Sequence, residues 1–486
     1  MTSSRGALGA RLRATACLVG VAVATALLPA VPAQADDLRE REYWLEDYGI
    51  VQAWETTKGE GVRVAVIDSG VDGSHPDLDG VVVGGTDVSG SGQPDGQLGI
   101  GEVAEHGTLV ASLLAGRGHL PDPPPSPSPS ANDDEEDEGS DQETPSPEPV
   151  ATTGPDTYGR GSDGIVGVAP ESELLAVSVW IEGETKGPNP AGISIDTQIP
   201  NAVRWAVDNG AQVINMSLGS TSPTWPESWD EAFLYAEQND VVIVAAAGNR
   251  AGGSLQVGAP ATMPGVLAVA GLDREGEASR ESSSEGISIG VAAPAENLVG
   301  ALPGGVYADW SGSSGAAPLV AGTAALIRSK YPDLSAAQVV NRILLTAQDA
   351  GAEGAERDTI YGYGILDVAA AVNADLAVPE ENLLGSMAEF IEIYRRGAPA
   401  PPPEPDAPTS EATAVDIPEP EVPVAEEPSA TAGGLPAAIV LGFAGLIVVV
   451  LAAGTVAVLR ARRSALANPD DDNADTDSLD TAAPRS

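Results

Sequence analysis

An α/β fold, a mainly parallel sheet flanked by helices in three layers, is predicted for residues 58–375 from three observations. Short Val/Ile/Ala runs are apolar on both faces, as strands buried inside a parallel sheet are. These runs alternate with stretches of helical period, which places helices on both sides of the sheet. Asp68 and Asn249 each stand directly after such a run, and open parallel sheets gather functional residues at the carboxyl ends of their strands.

Taken in order, the strands are expected at residues 62–67, 174–179, 213–216, 241–246 and 266–270, each dominated by Val, Ile, Leu or Ala. Helices are expected at residues 108–115, 197–208, 229–238, 318–329 and 335–347. The fourth of these is apolar nearly all round and therefore buried. Its Pro318 suits a first turn, where a missing N–H costs nothing.

The chain has 486 residues and a formal charge of −47, a length that could hold two or three domains, but much of it is not built to fold. Residues 1–35 read as a secretory signal. Arg5, Arg11 and Arg13 form its basic part, residues 16–30 its apolar part, and Ala33-Gln34-Ala35 fits a small-residue cleavage site. The single cysteine, Cys17, lies inside this signal, so the exported chain would carry no thiol and no disulfide. Residues 36–57 form a short lead, too short to fold separately.

Within the domain, residues 119–160 hold an acidic, Pro-rich insertion. Its stretch 121–149 has ten acidic residues and no Lys or Arg. Such a composition buries too little apolar surface to offset its chain entropy, so disorder is expected there. Residues 376–436 read as a Pro/Glu-rich stalk. Residues 437–459 are an uncharged apolar run, about 35 Å long as a helix, enough to cross a bilayer core of ~30 Å. Arg460, Arg462 and Arg463 follow, which puts residues 460–486 on the cytoplasmic side and the domain outside the cell. The strong acidity argues against nucleic-acid binding and favours solubility.

Three phrases carry the chemistry: Val66-Ile67-Asp68-Ser69-Gly70, Glu105-His106-Gly107-Thr108, and Ser311-Gly312-Ser313-Ser314-Gly315-Ala316-Ala317-Pro318. A nucleophilic serine needs a base for its proton and a carboxylate to orient that base. Taken alone, Asp68 before Ser-Gly reads as a turn or cap residue, and Ser314 can equally be a helix cap. Ser313 is an alternative nucleophile. The chain has three histidines. His75 lies in a turn-like Ser-His-Pro-Asp-Leu stretch, and His119 opens the acidic insertion, where it would be solvated. Asn249 closes Ala245-Ala246-Ala247-Gly248-Asn249. A Gly-Asn pair is ordinarily a turn, but a carboxamide can also donate to a developing oxyanion.

In the order Asp, His, Ser, these phrases resemble the subtilisin-like serine proteases. The resemblance runs from Gly59 to Tyr363-Gly364-Ile365-Leu366-Asp367. It implies the subtilisin-like fold and an Asp68–His106–Ser314 triad with Asn249 as oxyanion donor. In this register Ser313 takes the place of a family threonine. The resemblance also implies a substrate cleft walled by Ser217, Leu218 and Gly219 on one side and Ala246, Ala247 and Gly248 on the other. Ser220 stands where the family often has a second glycine. Gly315 departs from the family, which usually has a larger residue there.

The signal, the lead, the acidic insertion, the stalk and the single membrane helix further resemble the mycosins, membrane-anchored proteases of actinobacterial type VII secretion systems. That likeness implies protein or peptide substrates, a single-pass place in the cell membrane and a secretion complex as partner. The missing cysteines are a departure from several mycosins. Neither a cofactor nor a metal site is expected. Two alternative roles are a structural subunit with little need for catalysis and a general cell-surface protease.

Overall fold

The apolar runs assemble into seven parallel strands. In chain order, with two further pairs, the strands are β1 (Arg63–Asp68), β2 (Val82–Asp87), β3 (Arg117–His119), β4 (Asp163–Val166), β5 (Glu173–Ser178), β6 (Val213–Met216), β7 (Val242–Ala246), β8 (Leu267–Leu272), β9 (Ile289–Pro294), β10 (Leu298–Leu302) and β11 (Val306–Trp310). The main sheet runs β2-β5-β1-β6-β7-β8-β9, while β3–β4 and β10–β11 are antiparallel pairs. The computed structural model describes residues 35–120, 158–350 and 357–395. The expected signal segment up to residue 34, most of the acidic insertion, the stalk beyond residue 395, the apolar run 437–459 and the tail lie outside these residues. Among the described residues no helix is long and apolar enough to cross a membrane.

The helices are α1 (Ala35–Arg41), α2 (Trp44–Asp47), α3 (Ile50–Trp54), α4 (His106–Ala115), α5 (Ile195–Asp208), α6 (Asp230–Gln238), α7 (Ser313–Lys330), α8 (Ala336–Thr346), α9 (Val368–Asn373) and α10 (Met387–Phe390). They cover the sheet in two layers. Along β1, Val64 and Val66 enter the core beneath α4, α7, α8 and α9, and Ala65 and Ile67 enter the core beneath α5 and α6. The two-residue period of a strand sends alternate side chains to opposite faces, so one hydrophobic run serves both layers. β1 lies between β5 and β6, and the chain leaves it toward β2 before returning on the other side. This reversal opens a crevice at the carboxyl ends of β1 and β6, where Asp68 and Ser217 stand.

Four features add to or depart from the sequence reading. First, α7 begins at Ser313, so Pro318 is its sixth residue and not in its first turn. A proline there cannot donate to the carbonyl four residues earlier, which is Ser314 O. The Ser217 hydroxyl donates to that carbonyl instead, at 2.8 Å. Second, the lead is part of the core: Leu38, Trp44 and Ile50 are wholly buried, and Tyr48 O accepts from Val368 N at 3.0 Å. Third, residues 376–395, grouped with the stalk by composition, stay on the domain, and Met387 is buried. Fourth, His119 is not simply solvated. Its Nδ1 lies 2.7 Å from Oδ1 of the buried Asp77.

Candidate active site

Asp68 ends β1 and is fully buried. Its Oδ1 accepts from Ser69 N at 2.7 Å and lies 2.8 Å from His106 Nδ1. Oδ2 is enclosed without a protein donor, which leaves the imidazole as the side-chain group that answers this charge. His106 is the first residue of α4, and its side chain is 18% exposed. Gly107 makes this approach possible, because a Cβ there would lie 2.2 Å from Gly70 O. Its N–H donates to Ser69 Oγ at 3.1 Å, which ties the start of α4 to the turn after Asp68. The Trp310 ring meets the imidazole edge-on, with centroids 5.9 Å apart. Burial works to lower the His106 pKa, but the Asp68 charge and hydrogen bond outweigh it, and the net shift is upward.

Ser314 is the second residue of α7, where backbone N–H groups have no partner within the helix and the positive end of the helix dipole lies. Its hydroxyl donates to Ser217 O at 3.1 Å. Ser217 is therefore joined to Ser314 twice, once through each residue's hydroxyl to the other's carbonyl. Asn215 Nδ2 donates to Ser217 Oγ at 3.0 Å.

Ser313, the alternative nucleophile of the sequence reading, is fully buried. Its Oγ donates to Asn249 Oδ1 at 2.9 Å and accepts from Gly248 N at 3.0 Å, and its own N–H donates to the same Oδ1 at 2.8 Å. With Oδ1 held twice, the Asn249 amide turns its Nδ2 outward. Gly312, at φ +149°, leaves that nitrogen room, since a Cβ there would lie 3.0 Å from it. The departure at Gly315 has a local explanation. A Cβ there would lie 2.2 Å from Leu298 Cδ1 and 3.4 Å from the Trp310 ring, so the β10–β11 hairpin fills the space of the larger side chain.

The expected cleft walls separate into two regions. Gly219 faces Ala246 across a narrow gap, where a Cβ would be 3.8 Å from both Ala246 O and Ala259 O. Beyond Gly219, Leu218 opens onto an apolar cavity of about 370 Å³ whose other walls include Trp180, Ile195, Ile199 and Trp229. Ala246, Ala247 and Gly248 do not line this cavity. The sequence reading missed Trp180, Ile195 and Ile199, which come from the β5–α5 connection and from α5. For Ile195 and Ile199 the signal was present as apolar residues at the amino end of an amphipathic helix, but it does not say what they face; Trp180, in the connection, carried no such pattern. Among the described residues, no three His, Cys, Asp or Glu side chains are placed to hold a metal ion.

The fold and these motifs define the class. The Subtilase family description matches residues 59–364, and the chain belongs to this family of serine endopeptidases. Among particular relatives, fervidolysin of Fervidobacterium pennivorans is 30% identical over 364 residues, 70% of this chain but 45% of its own length. Subtilisin of Bacillus pumilus is 34% identical over 64% of this chain and 91% of its own. The chain also resembles mycosins of solved structure. MycP1 from Mycobacterium smegmatis superposes with a TM-score of 0.51 at 28% identity, covering 73% of this chain and 89% of that one. The MycP3 protease from the type VII (ESX-3) secretion system does so with a TM-score of 0.50 at 29% identity, covering 72% and 91%.

Proposed function

We propose that this chain is a membrane-anchored extracellular serine endopeptidase that acts with a type VII secretion system. Ser314 is the nucleophile, His106 the general base and acid, Asp68 its orienting carboxylate and Asn249 an oxyanion donor. The observation that carries the reading is the 2.8 Å contact between His106 Nδ1 and the buried Asp68 Oδ1. It commits Nδ1 as the donor to Asp68 and leaves Nε2 as the basic nitrogen. Attack then requires the Ser314 hydroxyl to exchange Ser217 O for Nε2. Oγ bonds to the scissile carbonyl carbon as its proton passes to Nε2, and the imidazolium later gives that proton to the leaving amine. Asn249 Nδ2 and the Ser314 N–H meet the oxygen that becomes negative. The raised His106 pKa reflects a site that stabilises the imidazolium before substrate arrives.

The apolar cavity beside Leu218 favours protein or peptide substrates with a bulky apolar residue upstream of the cleaved bond. Anchoring rests on the apolar run 437–459 and the three arginines after it. A second role, as a structural subunit of a secretion complex, is supported by the likeness to proteases of such systems. The catalytic reading is tested by labelling with a serine-directed phosphonate. Ser314→Ala should abolish labelling and hydrolysis, and Ser313→Ala should keep labelling. The reverse pattern would refute the assignment.

A further inference from the structure

The outer wall of the apolar cavity is held partly by its own hydrogen bonds, such as Thr224 N to Ser222 Oγ at 3.2 Å, and partly by other segments. It is the connection from β6 to α6, which includes Ser222, Thr224 and Pro226. Its inner half is pinned by backbone bonds: Ser220 N donates to Ala259 O at 2.9 Å and Ala259 N to Ser222 O at 2.8 Å. Thr262 Oγ1 adds a bond to Pro223 O at 2.8 Å. Beyond Thr224, Trp225 packs partly buried against the core beneath α5 and α6, and its outer side is also met by the end of the described chain.

Met387–Phe390 and the following turn Ile391–Arg395 lie along α6. At one end of that helix, Glu237 accepts from Ser386 Oγ at 2.8 Å and from Met387 N at 2.6 Å. At the other end, the Phe390 ring lies 5.0 Å from the Trp225 ring. The Asp230 carboxylate, 6% exposed, accepts from Trp225 Nε1 at 2.7 Å through one oxygen and from Arg395 Nε at 2.8 Å through the other. The Arg395 guanidinium also lies over both rings, 5.8 Å from Trp225 and 5.4 Å from Phe390. All of these strap residues lie beyond residue 364, where the family match ends.

We propose that the carboxy-terminal strap, through Phe390 and Arg395, holds Trp225 and thereby sets the outer wall of the apolar substrate cavity. These are positioning residues for substrate choice. The inference deepens the catalytic reading above and rests on it. A segment outside the catalytic motifs would then determine which peptides are accepted, and the start of the stalk would be mechanically joined to a substrate subsite.

The test uses the full chain with Phe390→Ala, Arg395→Ala and Arg395→Lys. Ile393→Ala serves as control, because that side chain is 65% exposed. Peptide pairs carry Phe or Ala in turn at each of the four positions upstream of the cleaved bond. At the position that fills the cavity, Phe390→Ala and Arg395→Ala should raise KM for the Phe peptide about 3- to 10-fold, the range expected from losing one aromatic or cation–π contact. KM for the Ala peptide and kcat for both should change less than about twofold. Arg395→Lys should recover part of the loss, and Ile393→Ala should resemble wild type. Unchanged KM values in folded, phosphonate-labelled Phe390→Ala and Arg395→Ala would overturn the proposal, as would equal losses for Phe and Ala peptides. If Phe390→Ala does not fold, the Arg395 pair decides alone. A wild-type chain that labels with phosphonate but shows no preference for Phe also overturns it. A wild-type chain that neither labels nor cleaves overturns the catalytic reading, and this inference with it.

Discussion

On the proposed reading, the chemistry turns on single atoms of Asp68 and Asn249. Because the Asp68 carboxylate raises the pKa of His106, the imidazole holds its proton to higher pH than usual. A protonated imidazole cannot accept the Ser314 proton. The acid limb of kcat/KM should therefore rise through a pKa above the ordinary value of about 6.5. Asp68→Asn should move that limb to lower pH and reduce kcat by about 10⁴, as loss of the correct tautomer does in related triads. A limb at or below pH 6.5 in the wild type would contradict the geometry. The same pair stabilises the fold fully below the unfolded-state pKa of His106 and loses that contribution as pH rises through the folded one. Asn249→Ala should lower kcat by about 10²–10³ with little change in KM. Ser313→Ala, which frees Asn249 Oδ1 from its hydroxyl partner but leaves the backbone donor, should cost about 10-fold, the worth of one hydrogen bond. Steady-state kinetics on one peptide distinguishes the two.

The same economy appears in the elements. α7 carries a proline in its interior, and Ser217 from the end of β6 supplies the hydrogen bond the proline cannot. Ser217→Ala should strip Ser314 O of that donor and destabilise the chain by about 1–3 kcal/mol. In a Pro318→Ala background the helix can bond this carbonyl itself, so the same substitution should cost less than about 1 kcal/mol. Denaturant melts of the four chains form the cycle, and equal costs in both backgrounds would show that the two residues are independent. This contact also shows where sequence reading stops. β1, β5, β6, β7 and β8 were legible because each is apolar on both faces, and their observed bounds lie within two residues of the expected ones. β2 was not, since Gly84 and Gly85 break its pattern and only part of it is covered. β9 was missed because Gly290 and its alanines carry little hydrophobic signal. The start of α7 was placed five residues late because Pro318 resembles a first turn, and only the tertiary donor reveals that it is interior. Of the site, the three motifs and Asn249 could be read from local phrases. The Trp310 edge on His106 and the Trp180, Ile195 and Ile199 walls could not, because each depends on which distant segments the sheet brings together.

For the whole molecule, the question is whether the catalytic centre or the outer surface matters to the cell. Ser314→Ala removes one oxygen from the site and leaves every exposed face as it was. If the chain serves a secretion complex as a structural part, deleting it should block export of that system's substrates. Complementation with Ser314→Ala should restore export but not proteolytic processing. Secretion assays on the deletion strain, carrying wild type or Ser314→Ala, give the answer, and normal export without the protein would exclude the structural role.

The bond from Val368 N to Tyr48 O joins positions 320 residues apart (368 − 48). Gly49 sits against Ala369 so closely that a Cβ would be 2.7 Å from that methyl. The earliest-made part of the core thus waits for the last-made. At synthesis rates of about 5–20 residues per second, the interval is roughly 15–65 seconds. Asp68, His106 and Ser314 are all present only for the last 54 residues of that interval (368 − 314), roughly 3–11 seconds, while the body that would align them is still open. A nascent chain ending before residue 368 should accordingly remain sensitive to added protease and refuse the phosphonate label. If the proposed catalytic reading holds, the order of synthesis withholds a cutting edge until the chain has grown past residue 368.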